Sequence, residues 1–144
     1  MTFIEAVRSC LSQYAGFQGR APRSEFWWFS LFTLLVDLAI MLVGGMLISG
    51  TIMNIQANGE SVASWYAMTA PNWMMSLAHL ALFLPTLAVT VRRLHDVGRS
   101  GWWIFIMLVP LFGLLLLLFW WVQPSQPQTN AYGPSPLPAP WPAR

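Results

Sequence analysis

The feature that most constrains this chain is an apolar run over residues 102–122 that carries no charged side chain, together with a second apolar run over residues 26–48. About 20 apolar residues in a helix cross roughly 30 Å of hydrocarbon, so each run is long enough to span a bilayer. A third run, residues 73–91, is also uncharged, although it holds His79 and Pro85. Helices of soluble proteins are rarely this long and apolar on every side, because one face must meet water. The sequence therefore predicts an all-α membrane protein with three transmembrane helices. Composition agrees: 56% of residues are hydrophobic and 8% charged, against about a quarter charged in ordinary soluble domains.

At 144 residues the chain is expected to make a single integral membrane domain, residues 1–122, followed by a tail, residues 123–144. Nothing before Glu25 resembles the apolar core of a signal peptide, so the first run is expected to act as an uncleaved anchor. Cys10 is the sole cysteine, which excludes an intrachain disulfide and every cysteine-rich zinc or iron–sulfur pattern. No cofactor and no metal site are expected. All seven basic residues are Arg; the planar guanidinium suits phosphate, but a GC-rich coding sequence explains the same bias.

Charge sets the expected orientation. Arg8, Arg20 and Arg23 precede the first span and Arg92, Arg93 and Arg99 follow the second, whereas the connection over residues 49–72 carries only Glu60. The positive-inside rule then places the N-terminus and the Arg92 to Arg99 turn in the cytoplasm. Trp27, Trp28, Trp102 and Trp103 fall at the inner ends of the spans as interface anchors, with Trp65, Tyr66, Trp73, Trp120 and Trp121 at the outer ends. With three spans the C-terminal tail lies on the periplasmic or extracellular side.

Thr2 and Glu5 have capping-box spacing, and Phe3, Ile4, Val7, Leu11 and Tyr14 repeat at helical intervals opposite Arg8, Ser9, Ser12 and Gln13. This predicts a short interfacial amphipathic helix over about residues 2–15. Pro22 suits a first helical turn, and Glu25 is favourable near a helix N-terminus. The mixed, polar residues 50–72, with Asn58-Gly59 as a turn signal, read as an outer loop. Residues 98–101 read as a tight turn between antiparallel second and third spans, with Pro85 and Pro110 as kink sites. The abundant prolines after Val122 predict an extended or disordered tail.

The most distinctive stretch is Arg92-Arg93-Leu94-His95-Asp96-Val97-Gly98-Arg99-Ser100-Gly101-Trp102-Trp103. Asp96 can reach Arg92 or Arg93 one helical turn back. Beside it, across the inner interface, should stand Gly19-Arg20-Ala21-Pro22-Arg23-Ser24-Glu25-Phe26-Trp27-Trp28. Arg20, Arg23, Arg92, Arg93 and Arg99, with His95 and Asp96, are thus candidates for binding an anionic headgroup or a phosphorylated partner. The competing reading is a topology signal and a structural salt-bridge clamp.

These two segments, with the tail Asn130-Ala131-Tyr132-Gly133-Pro134-Ser135-Pro136, resemble the domain of unknown function 805 family. The resemblance runs in order over nearly the whole chain. It implies a small bacterial inner-membrane protein and no particular reaction. The chain departs from the family pattern in its long outer connection and in the proline-rich extension beyond Pro136.

Asp37 and His79 are the polar residues placed deepest. At about 1.5 Å per residue, Asp37 lies about 15 Å in from Trp27, and His79 about 9 Å in from Trp73. Ser30, Thr33, Asp37 and Gly44 share one face of the first helix, and Ser76, His79, Thr86 and Thr90 one face of the second, so an interhelical polar pair is expected. Its competing roles are a packing bond and part of an ion or proton path.

Among function classes, a non-catalytic scaffold, accessory subunit or component binding anionic phospholipid of the bilayer stands first, as a homo-oligomer or in a membrane complex. A small oligomeric transporter or channel using Asp37 and His79 stands second. No nucleophile stands beside a base and no metal-ligand spacing occurs, so no catalytic residue is expected. The Arg residues are tied to helix ends at the membrane, which argues against nucleic acid.

Overall fold

The computed structural model describes residues 1–58 and 62–137, with side chains except at residue 45 and residues 47–72. The described elements are helical, in the order α1 (Phe3–Ser12), α2 (Arg23–Asn58), α3 (Val62–Asp96), a 3₁₀ helix (Gly101–Leu108) and α4 (Phe112–Val122). They form two compact units, one of Met1–Ser30 with Leu84–Arg144, the other of Leu31–Phe83.

The first unit begins with the predicted capping box. The Thr2 hydroxyl accepts from the Glu5 N–H and the Glu5 carboxylate accepts from the Thr2 N–H, satisfying donors at the start of α1. Gln13 ends the helix. Ala6 and Cys10 are its buried residues, while Ile4 and Leu11 are exposed. α3 stops in a Schellman motif: Arg99 N–H donates to the Leu94 carbonyl and Gly98 N–H to that of His95. Gly98 holds a φ of 75°, a left-handed conformation that costs glycine least.

Two helices, over Arg23–Gly44 and Trp73–Asp96, are long and apolar enough to cross a membrane. The third predicted span is not formed as one helix. Its residues divide at Leu111, whose φ of 62° and ψ of −60° shape a γ-turn in which Phe112 N–H donates to the Pro110 carbonyl. α4 has 11 residues, about 16 Å of helix against the roughly 30 Å a crossing needs. The 3₁₀ helix and α4 fold back on each other. Trp103 and Trp120 pack edge to face with ring centroids 5.3 Å apart, whereas one continuous helix would hold them about 25 Å apart. A Cβ on Gly113 would fall 1.8 Å from the Ile106 carbonyl oxygen, so only glycine permits this approach.

Three further expectations change. Residues 50–58 and 62–72 continue α2 and α3 rather than forming an outer loop; residues 59–61, which include Gly59 of the turn signal, lie outside the described residues. α3 runs through Pro85 without interruption, and only Pro110 sits at a break. Residues 123–137 are not a disordered tail but pack within the first unit, as the site geometry below shows. The far-side placement of the tail therefore has no third continuous helix to rest on. Residues 138–144 lie outside the described residues.

Candidate functional site

The two Arg-rich motifs do meet, in the first unit, around two buried carboxylates. Asp96, fully buried, accepts from Arg20 at 3.0 Å and from Arg93. Glu25 accepts from Arg92 at 3.0 Å, with both side chains almost completely buried. The backbone ties the same motifs together, since Ala21 N–H donates to the Arg92 carbonyl at 3.0 Å. Of the two arginines within one helical turn of Asp96, Arg93 stays with it on the same helix and Arg92 goes to Glu25.

α1 closes over this cluster with its polar side. Ser9 Oγ donates to Glu25 at 3.0 Å, and Gln13 accepts from Arg92 at 3.2 Å. Cys10 lies between them, its sulfur 3.6 Å from Glu25 and 3.9 Å from Arg92. Burial, reinforced by the neighbouring Glu25 carboxylate, pushes the Cys10 thiol up to about 12, with Arg92 pulling the other way. Ser9 and Gln13, on the side opposite the apolar residues of this helix, are therefore part of the contact with Glu25 and Arg92, and Ile4 and Leu11 are exposed.

Two guanidinium groups cap the C-terminus of α4. Arg93 donates from Nε to the Trp121 carbonyl at 3.1 Å and from Nη2 to the carbonyls of Trp120 and Gln123. Arg23, exposed, donates to the Val122 carbonyl at 3.3 Å. The last carbonyls of a helix lack intrahelical donors and carry its negative dipole end, so cations are favoured there. Arg99, also exposed, lies 5.2 Å from the centre of the Trp120 ring, within cation–π range.

The tail then wraps the same arginines. Arg20 donates to the carbonyls of Gln126, Gln128 and Gly133, the Gln128 bond measuring 2.7 Å. Gln126 N–H donates to the Asp96 carbonyl at 3.3 Å. Asn130 Nδ2 donates to the His95 carbonyl at 2.9 Å, and its Oδ1 accepts from Tyr132 N–H. The Tyr132 and His95 rings stack at 3.9 Å with 2° between their planes. His95 Nδ1 sits 3.2 Å from the Gly19 carbonyl, an acceptor, so this nitrogen carries the proton.

Of the predicted residues, Arg20, Arg92, Arg93 and Asp96 are brought together and buried, His95 is half-buried beside them, and Arg23 and Arg99 remain exposed. Trp27, Trp28, Trp102 and Trp103 are exposed. Arg23 lines a depression of about 300 Å³ with Pro22, Ser24, Pro124, Ser125 and Leu137. Sequence reasoning missed the parts played by Ser9, Cys10, Gln13, Gln126, Asn130 and Tyr132. The Asn130 to Pro136 motif was the available signal for the last two, but nothing in it named His95 as the partner.

In the second unit, His79 Nε2 lies 3.0 Å from Asp37 Oδ1, so the two residues meet, although that oxygen accepts no well-aligned hydrogen bond. Its side chains stay 60% and 35% exposed.

Long apolar helices, Trp residues exposed near their charged ends and an interlocked Arg–carboxylate cluster define a small helical membrane protein. The chain belongs to the family described as Protein of unknown function (DUF805), whose model matches residues 14–134. It is 32% identical over 126 residues to inner membrane protein YhaH of Escherichia coli strain K12, covering 88% of this chain and 91% of the relative. It is 35% identical over 128 residues to inner membrane protein YhaI of the same strain, covering 89% and 92%. Uncharacterized protein YiiR of that strain is 35% identical over 110 residues, 76% of this chain and 59% of the relative. No solved structure matches the chain.

Proposed function

We propose that this chain is a non-catalytic component of the inner membrane, a scaffold or accessory subunit, whose Arg- and Trp-bearing face meets anionic phospholipid headgroups. The observation that carries this reading is the division of the arginines. Arg20, Arg92 and Arg93 are consumed by internal carboxylates and carbonyls, whereas Arg23 and Arg99 are exposed beside Trp27, Trp28, Trp102 and Trp103. Each cation near an anionic surface contributes about 1 kcal/mol of attraction. The buried cluster supports that face instead of binding through it. The positive-inside rule supports a cytoplasmic placement of this Arg-rich end, in keeping with the inner-membrane relatives.

The test is native mass spectrometry of protein purified with phosphatidylglycerol and phosphatidylethanolamine. Arg23→Gln with Arg99→Gln should lose retained phosphatidylglycerol selectively, by several-fold. Unchanged retention overturns the headgroup reading. Replacing Arg92 or Arg93 is a poorer test, because each leaves a buried carboxylate unpaired.

The 3.0 Å contact between Asp37 and His79 favours a second reading, a small oligomeric transporter or channel in which this pair lines an ion or proton path. Ionisable side chains within a bilayer are costly and commonly mark such paths. Proton flux in reconstituted vesicles should fall with Asp37→Asn and with His79→Ala; flux that survives both substitutions sinks this path.

A further inference from the structure

We propose that residues 101–122 form a re-entrant hairpin seated in the hydrocarbon of one leaflet, entering and leaving on the side of the membrane that holds both α1 and residues 123–137.

The base of the hairpin is closed. Its first turn follows directly on the α3 cap, and its last turn returns to Arg93, which donates to the carbonyls of Trp120, Trp121 and Gln123. Phe26, near the start of α2, packs on Trp121 with ring centroids 4.9 Å apart. Trp103 meets Trp120 at the same level. Past that point residues 123–137 bond to Arg20 and Asp96, which belong to the same unit as α1. Entry, exit and both flanking segments thus share one end of the first unit.

The tip has the chemistry of hydrocarbon. Leu108 and Leu111 are 81% and 78% exposed, and Phe105, Met107, Val109, Phe112 and Leu115 are exposed beside them. No residue from 102 to 122 is charged. The 11 residues of α4 reach about 16 Å, close to half of the roughly 30 Å core and so to one leaflet.

The backbone of the turn supplies an independent reason. Irregular backbone is tolerated at membrane depth only if its polar groups find partners other than water. Here Val109 N–H donates to Ile106, Phe112 to Pro110, Gly113 to Val109 and Leu115 to Leu111, all within the hairpin. Pro110, at the reversal, has no N–H to satisfy. These four N–H groups thus find acceptors inside the hairpin and need no water, as a hydrocarbon setting requires.

The test uses variants with one added cysteine in the whole chain, where native Cys10, fully buried, serves as the unlabelled control. Gln18→Cys and Thr129→Cys, both at exposed positions, are treated with a membrane-impermeant maleimide in right-side-out and inverted vesicles. A re-entrant hairpin labels both from the same face; labelling from opposite faces means residues 102–122 cross the bilayer and overturns the proposal. Leu108→Cys and Leu111→Cys carrying an environment-sensitive fluorophore report the tip. Nitroxides on lipid acyl chains should quench it several-fold more than aqueous iodide. Preferential quenching by iodide at both positions also overturns the proposal. Neither readout depends on Arg23 or Arg99, so a failure of headgroup binding is distinguishable from a failure here.

Discussion

At the scale of single residues, the cluster is decided by desolvation. Arg92, Arg93, Glu25 and Asp96 have almost no exposed surface, and a charge held there is stable only when its partners are in place; removing one partner of such a pair costs about 3–5 kcal/mol. Cys10 reports whether the cluster is intact. With its thiol pushed up to about 12 by burial and by Glu25, the thiolate that reacts with maleimide is scarce at pH 8. Folded protein should therefore label far more slowly than protein unfolded in detergent, and Glu25→Ala should speed folded-state labelling by opening the cluster. Labelling of folded wild-type protein at the unfolded rate contradicts this. The sign of the linkage follows: a raised folded value means stability is kept below the ordinary thiol value of 9.0 and declines as pH climbs toward 12. The sequence placed Asp96 within a turn of Arg92 and Arg93 but did not choose between them. Helical spacing offers both, and the choice was made by Glu25, which reaches Arg92 from a different helix.

At the scale of elements, long apolar helices were legible because hydropathy is a property of one segment, and the capping box because it is local. The third span and the tail were misread for a shared reason. Length and composition do not register a reversal at Leu111, which depends on Gly113 fitting against the Ile106 carbonyl. Nor do they show where the carbonyls of a proline-rich segment go. Such segments make few hydrogen bonds of their own, which leaves the carbonyls of Gln126 and Gln128 to accept from Arg20, while that of Gly133 accepts from both Arg20 and Asn130 N–H. The planar guanidinium, donating from all three nitrogens to Asp96 and these carbonyls, is the device that orders the tail. Lysine keeps the charge but not the fork. Arg20→Lys should thus leave α2 and α3 folded, with unchanged helical circular dichroism, yet release residues 123–137 to limited proteolysis at least several-fold faster. Equal cleavage rates in the two proteins would show that the tail is held by other contacts.

At the scale of the whole molecule, the two units pose different electrostatic problems. The first encloses the charges of Arg20, Glu25, Arg92, Arg93 and Asp96 in ion pairs. The second leaves Asp37 and His79 paired but 35% and 60% exposed, on helices long and apolar enough to lie within a bilayer. A charged side chain at the centre of a membrane helix costs about 2.5–3.5 kcal/mol on insertion scales, and the 3.0 Å pairing offsets only the edge each residue turns to the other. The remaining exposure calls for polar cover, and two spans cannot enclose a path. On the transporter reading the cover is a second copy of this chain, whose own pair can approach the first across a common axis. Leu80, next to His79 and 72% exposed, lies at the edge of that contact. Leu80→Cys should form disulfide-linked dimers in native membranes under mild oxidation, and Asp37→Asn should reduce their yield while leaving the monomer folded. A cross-linking yield no higher than at Leu34→Cys, another exposed position of the same unit, would show that the polar pair is not where copies meet and would leave water as its cover.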